Sequence, residues 1–131
     1  MSMHLEFTDE QIQRIKFVID QKDETDCAIN RSFNTVWLAD NETEFRFGFL
    51  GRYKLVISRV CFAHRRQGIL SDILGILKSI CLENDVHNIT MQSVETKEMI
   101  AFCVKNGFIP DKYSTFQDEE GDIYGDYILK I

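Results

Sequence analysis

The chain has 131 residues, 44% of them apolar and 27% charged, which places it with single globular domains and away from disordered chains. Its formal net charge of −6 argues against nucleic-acid binding. No apolar run approaches the ~18 residues that a membrane-spanning helix needs, and the opening MSMHLEFTDEQ has neither the basic start nor the apolar core of a secretory signal.

Thr8 and Gln11 have capping-box spacing, and Phe7 and Ile12 stand where a hydrophobic staple would put them. They predict a helix to about residue 21, with Ile12, Ile15 and Ile19 on one face and a short edge strand over 4–7 before it. Residues 22–34 (KDETDCAINRSFN) are polar and weakly patterned, which reads as a loop or a short irregular helix. The acids there, Asp23, Glu24 and Asp26, read as a solvated face. Residues 35–39 predict a strand, 40–42 a hairpin turn, and the alternation of Phe45, Phe47 and Phe49 with Arg46 and Gly48 a second strand. Gly51 and Arg52 turn the chain into a third strand, at 54–62, so three antiparallel strands are expected in succession.

That third strand, KLVISRVCF, leads through AHRRQG into ILSDILGILKSICLEND. The last piece has apolar residues at 69, 70, 73, 74, 77, 80 and 81, one face of a helix. Residues 87–94 alternate as a strand, which the intervening helix makes parallel to 54–62 through a right-handed crossover. Thr96 caps a helix through residue 106, with Met99, Ile100, Cys103 and Val104 expected inward and Gly107 ending it. Residues 108–116 and 123–131 predict a closing hairpin across DEEGD.

Four cysteines, Cys27, Cys61, Cys81 and Cys103, lie far apart with no CxxC, and so read as small core residues in a reducing, cytoplasmic compartment. Cys61 and His64 form a CxxH with no second ligand pair at zinc spacing, so no metal is expected.

A strand feeding a glycine turn that opens a helix is suited to an anion. The first N–H groups of the helix lack internal partners, and its dipole makes that end positive. Gly68 lets the backbone approach a bound group, and Arg65 and Arg66 add charge. Neither GxxxxGK[ST] nor GxGxxG occurs, which excludes the two common nucleotide loops. The string that is present is R-x-x-G-x-G/A, carried by Arg65 and Gly68, with Leu70 in place of the small third residue. A second local signature, Y-x-x-x-G-F, is matched by residues 103–108 with Cys103 in place of the tyrosine.

In these two motifs, at this separation and inside this element order, the chain resembles the GNAT superfamily of acyl-CoA-dependent N-acyltransferases over nearly its whole length. The resemblance implies an α/β (α+β) fold: a mixed, mostly antiparallel sheet with a central parallel strand pair and helices on both faces, forming one domain over residues 1–131. It also implies acetyl-CoA as acyl donor, with pantetheine along Val60, Cys61 and Phe62. The pyrophosphate would rest on the amides of Gln67, Gly68, Ile69, Leu70 and Ser71, flanked by Arg65 and Arg66. An amide of Cys61 or Phe62 would polarise the thioester carbonyl.

The resemblance implies an amine acceptor, small-molecule or peptidyl, and leaves a homodimer open. The family's usual strand glutamate is missing, since Ser58 and Arg59 stand there, and Glu95 is the nearest acid at a strand end. Cys103 stands where the family often has its tyrosine acid, so Glu95 and Cys103 are the candidate base and acid. Packing is the simpler role for Cys103 and a solvated helix acid the simpler role for Glu95. Tyr113 and Tyr124 on the closing hairpin are the alternative phenols. The departures also admit a non-catalytic GNAT-fold binding or assembly module, and the loop alone would suit an unrelated phosphate-binding domain.

Overall fold

A computed structural model describes residues 5–64 and 68–131. Helix α1 spans Asp9–Lys22 and begins at the expected capping box: the Gln11 N–H donates to Thr8 Oγ1 at 3.1 Å and the Thr8 N–H to Gln11 Oε1 at 2.8 Å. No strand forms over Leu5–Phe7, and His4 lies outside the described residues. Phe7 instead stacks on Phe49 at 4.4 Å and meets Phe47 edge-on at 4.9 Å.

Strands β1 (Ala28–Ser32), β2 (Thr35–Asp40), β3 (Thr43–Leu50) and β4 (Lys54–Cys61) follow. Four antiparallel strands thus precede the glycine loop, not three, because the polar stretch read as a loop contains β1. All five residues of β1 are exposed and it pairs only with β2, so no face of it carries an apolar period. Helix α2 (Ile69–Glu83), β5 (Asn88–Val94), α3 (Lys97–Lys105), β6 (Ile109–Gln117) and β7 (Ile123–Lys130) complete the chain. The seven strands form one sheet in the order β1-β2-β3-β4-β5-β7-β6, antiparallel except for β4 with β5. This is the expected mixed α/β architecture, with its one parallel pair at the α2 crossover.

Paired inward residues build the core across the sheet: Val36 and Leu38 beside Phe47 and Phe45, then Leu55 and Ile57 beside Ile89 and Met91, then Leu129 and Tyr127. Ile12, Ile15 and Ile19 of α1 and Ile73, Leu77 and Ile80 of α2 are each at most 1% exposed and belong to the same cluster. Burying a side chain of this size is worth about 1.5–3 kcal/mol. No described helix is long and apolar enough to cross a membrane.

α3 departs from expectation at one position. Cys103 is buried and Met99, Ile100 and Phe102 pack against the core, but Val104 is 63% exposed, one step too far round the helix. Gly107 ends α3 as expected, with φ +86. The Phe108 N–H reaches back to the Cys103 carbonyl at 2.9 Å and the Gly107 N–H to that of Val104 at 3.3 Å, a Schellman closure. Cys103 and Phe108 are therefore the two apolar positions that such a closure brings together.

Candidate active site

β4 and β5 pair at Leu55–Ile89, Val56–Thr90 and Ile57–Met91 and nowhere beyond, although both strands continue. Each strand carries an extra residue just past the last pair. On β4 the partners of β3 jump from Phe47–Ile57 to Arg46–Arg59, so Ser58 is bulged. Its hydroxyl donates to the Arg46 carbonyl at 3.3 Å and accepts from Arg46 Nε at 3.0 Å. On β5 the partners of β7 jump from Met91–Tyr127 to Val94–Gly125, so Gln92 and Ser93 oppose Asp126 alone. Ser93 is left-handed at φ +53, and its N–H donates to Asp126 Oδ1 at 2.8 Å. The two strands bend apart, leaving the β5-facing main chain of β4 from Ser58 onward without a strand partner.

A slot opens where they part, with a cavity on each side of it. The larger, about 580 Å³, is walled by the end of β4 with Phe62 and His64, by the first turn of α2 from 68 to 71, and by the first turn of α3 with Phe102. The smaller, about 180 Å³, is walled by β4 from 57 to 60, by β5 from 91 to 94, and by Glu95, Thr96 and Met99. Val60, Thr96 and Met99 line both.

Gly68 caps α2 in the left-handed region at φ +71, and no side chain among the described residues caps the helix. α1 and α3, by contrast, are capped by Thr8 and Thr96. The free end of α2 lines the larger cavity. Among the described residues a Cβ at Gly68 would meet only Lys22 Nζ, at 3.6 Å, and that ammonium pairs with Asp72 Oδ2 at 2.5 Å.

At the other flank of the loop lies Asp23, 1% exposed, where sequence reading expected a solvated face. Its carboxylate accepts from the Ala63 N–H at 3.0 Å, from the His64 N–H at 2.6 Å and from the Thr43 hydroxyl. Burial pushes this carboxyl up, but the Thr43 hydroxyl and the His64 and Ala63 N–H groups outweigh it, and its pKa lies below the ordinary aspartate value. His64 Nδ1 lies 3.0 Å from the Asp23 carbonyl and 3.2 Å from its Oδ1, which sets the ring in the wall of the larger cavity.

The comparisons with known proteins bear on the fold. Ard1 from Thermoplasma volcanium superposes with a TM-score of 0.55 at 15% identity, over 97% of this chain and 95% of that one. This chain has the GNAT acetyltransferase fold. A GNAT-family acetyltransferase from Elizabethkingia anophelis, solved with acetyl-CoA bound, gives 0.51 at 13% identity over 88% and 83% of the two chains. Nourseothricin acetyltransferase gives 0.53 at 13% identity over 73% of this chain, which spans 64% of that protein's length. No family model matches the sequence, nor does any curated protein.

On this GNAT fold the expected site residues divide. Val60, Cys61, Phe62, Gly68, Ile69, Leu70 and Ser71 come together around the larger cavity, while Arg65, Arg66 and Gln67 lie outside the described residues. Leu70, the departure in the loop motif, is 9% exposed and joins the core cluster. Glu95 lines the smaller cavity together with Arg59, whose Nε donates to Glu44 Oε1 at 2.5 Å.

Cys103 lines neither cavity. It is fully buried, and burial pushes its thiol up to about 12. Tyr113 is 86% exposed beside Lys112, and Tyr124 stacks on Phe116, so neither phenol reaches the slot.

The splay had a signal in the sequence. Inward apolar residues on β4 change parity from Leu55 and Ile57 to Val60 and Phe62, and on β5 from Ile89 and Met91 to Val94. Each change marks one inserted residue. Asp23 and Lys22 had no local signal, since their partners stand 20–50 positions away.

Proposed function

We propose that this protein is an acetyl-CoA-dependent N-acetyltransferase acting on a small-molecule or peptidyl amine. The observation that carries the reading is the slot between β4 and β5, which joins a large cavity at the uncapped end of α2 to a small cavity beside Glu95. The pyrophosphate of acetyl-CoA rests on the amides at the start of α2, with Arg65 and Arg66 beside it and Gln67 at the loop's end. Pantetheine runs along Val60, Cys61 and Phe62, where β4 has unpaired main-chain groups to bind it. The thioester then lies at Val60, Thr96 and Met99, the residues common to both cavities.

From the smaller cavity the amine attacks the thioester carbonyl. The new C–N bond gives a tetrahedral adduct whose oxyanion is held by a main-chain N–H of Cys61 or Phe62, and its collapse breaks the C–S bond. Glu95 takes the amine's proton through water. The departing CoA thiolate recovers its proton from solvent. Cys103 is assigned to packing. Cys27, Cys81 and Cys103 are buried as read, but Cys61, also read as a core residue, is exposed at the end of β4, where the chain leaves the sheet; all four are free thiols, as a reducing, cytoplasmic setting would keep them.

The reading is tested by following CoA release from acetyl-CoA across a panel of amines. Amine-dependent release supports it, and Glu95→Gln should lower the rate ~10²–10⁴-fold. One observation favours a second reading, a CoA-binding module without catalysis: no tyrosine lines either cavity. Tight acetyl-CoA binding with no release on any amine would establish that instead.

A further inference from the structure

Asp23 stands where an acid is expected to be costly. It is the C-cap of α1, at the negative end of the helix dipole, and it is buried. What offsets that cost comes mostly from the segment after β4: two consecutive main-chain N–H groups, of Ala63 and His64, and the His64 ring. The remaining donor, Thr43, comes from the start of β3. The carboxylate is saturated by donors 20, 40 and 41 positions away.

The preceding residue grips the opposite flank. Lys22 pairs with Asp72 in the first turn of α2, and its Nζ lies 3.6 Å from where a Gly68 Cβ would be. The last residue of α1 and its C-cap therefore hold both flanks of the glycine loop, Asp23 at residues 63–64 and Lys22 at residues 68–72.

We infer that Asp23 is the positioning residue of the segments that flank the phosphate loop, with Lys22 as its counterpart, so that the end of α1 fixes residues 63–64 and the first turn of α2 before a ligand arrives. This rests on the acetyl-CoA reading for what the loop binds, but the clasp itself does not. Flanking segments fixed before binding leave less conformational freedom to be lost on binding. Asp23 lines neither cavity, and it also fixes the His64 imidazole in the wall of the larger one.

The test compares wild type with Asp23→Asn, Lys22→Met and Thr8→Ala. Thr8→Ala removes the cap at the far end of α1 and serves as the control for stability alone. Asparagine keeps the shape but turns an N–H toward main-chain donors. Asp23→Asn should therefore bind acetyl-CoA about tenfold to a hundredfold more weakly, the loss of charge-assisted hydrogen bonds. KM for acetyl-CoA should rise with kcat little changed.

Without any ligand, the Ala63 and His64 amides should exchange hydrogen faster in Asp23→Asn while those of α2 keep their protection. Thr8→Ala should lower Tm with acetyl-CoA affinity unchanged. A folded Asp23→Asn with wild-type exchange and wild-type affinity overturns the proposal. If wild type itself fails to bind acetyl-CoA, the functional reading falls and the exchange measurement still decides the clasp. Should Asp23→Asn not fold, the surface variant Lys22→Met decides: faster exchange around residues 68–72 with weaker acetyl-CoA binding upholds the clasp, and neither change overturns it.

Discussion

Ile57 and Met91 are the last residues through which β4 and β5 touch as strands. The separation that follows is built into both sides: Ser58 is the extra residue on one strand, and Gln92 and Ser93 stand opposite one residue on the other. Each bulge sits on a pairing with an outer neighbour, β3 or β7, so each strand stays attached outward while it turns away from the other. The slot costs only the hydrogen bonds that the last residues of β4 and β5 would have made with each other.

Ser93 tests that construction. Its left-handed backbone, φ +53, suits glycine and is poorly suited to a branched side chain. Serine already bears the ordinary left-handed penalty, and Ser93→Val should add about 1 kcal/mol to it through β-branching. In Ser93→Gly the relief of strain should offset glycine's extra chain entropy of roughly 0.5–1 kcal/mol, leaving the protein near wild type. Denaturant midpoints check both. A wild-type midpoint for Ser93→Val would mean that the bulge is not held in this conformation.

Gly68 separates conformation from charge at the uncapped end of α2. Acetyl-CoA should stabilise the wild type by mass action, by ~2.7 kcal/mol at a hundredfold excess over Kd. Gly68→Glu puts a carboxylate in the phosphate path and should abolish the shift. Among the described residues Gly68→Ala meets only the Lys22 ammonium, yet must hold φ +71, so it should lose about 1–2 kcal/mol of stability and keep a measurable shift. Thermal melts with and without millimolar acetyl-CoA read both variants. No shift in the wild type would rule out the cofactor assignment.

Much of this fold could be read where side chains repeat or cap: Thr8 with Gln11, the alternation of Phe45, Phe47 and Phe49, the stripe from Ile69 to Cys81, and Gly107. β1 could not, because a strand exposed on every residue has no period to show. The cofactor side of the site was legible because a loop motif is contiguous. The slot was legible only as a change of parity on two strands, which is easily passed over as an ordinary apolar strand end. Asp23 was invisible because its role is defined by donors 40 and 41 positions away, and a lone acid in a polar stretch looks the same whether it is solvated or buried.

Asp23 should show in the acid limb of stability. Its folded pKa lies below the ordinary value because the hydrogen bonds from Thr43, His64 and Ala63 outweigh its burial. The stability it confers is therefore complete above the unfolded pKa of about 4. It is lost as pH falls below that value toward the folded pKa. The Tm advantage of wild type over Asp23→Asn should be full at about pH 5 and shrink on going to about pH 3. An advantage independent of pH over that range would show that the carboxylate's charge contributes nothing.

Cys103 and Cys81 hold the same position in two helix ends. α2 closes as α3 does, with the Val86 N–H on the Cys81 carbonyl at 2.8 Å and the Asp85 N–H on that of Leu82 at 3.3 Å. In both helices the capping asparagine, Asn84 or Asn106, donates from its side chain one residue further back, at 2.8 Å. Both thiols are fully buried and pushed up to about 12 by burial. Cys81 lines neither cavity, so its environment is explained without any catalytic role, and the same account covers Cys103. Cys103→Ala and Cys81→Ala should each cost on the order of 1 kcal/mol with turnover per folded molecule unchanged. Cys103→Tyr, restoring the tyrosine of the resembled motif, must fit a ring at a fully buried position near Tyr127. It should cost about 1–3 kcal/mol by overpacking and bring no gain in rate. A well-folded Cys103→Ala that has lost ~10²-fold or more in turnover, with Cys81→Ala unaffected, would instead make Cys103 the acid.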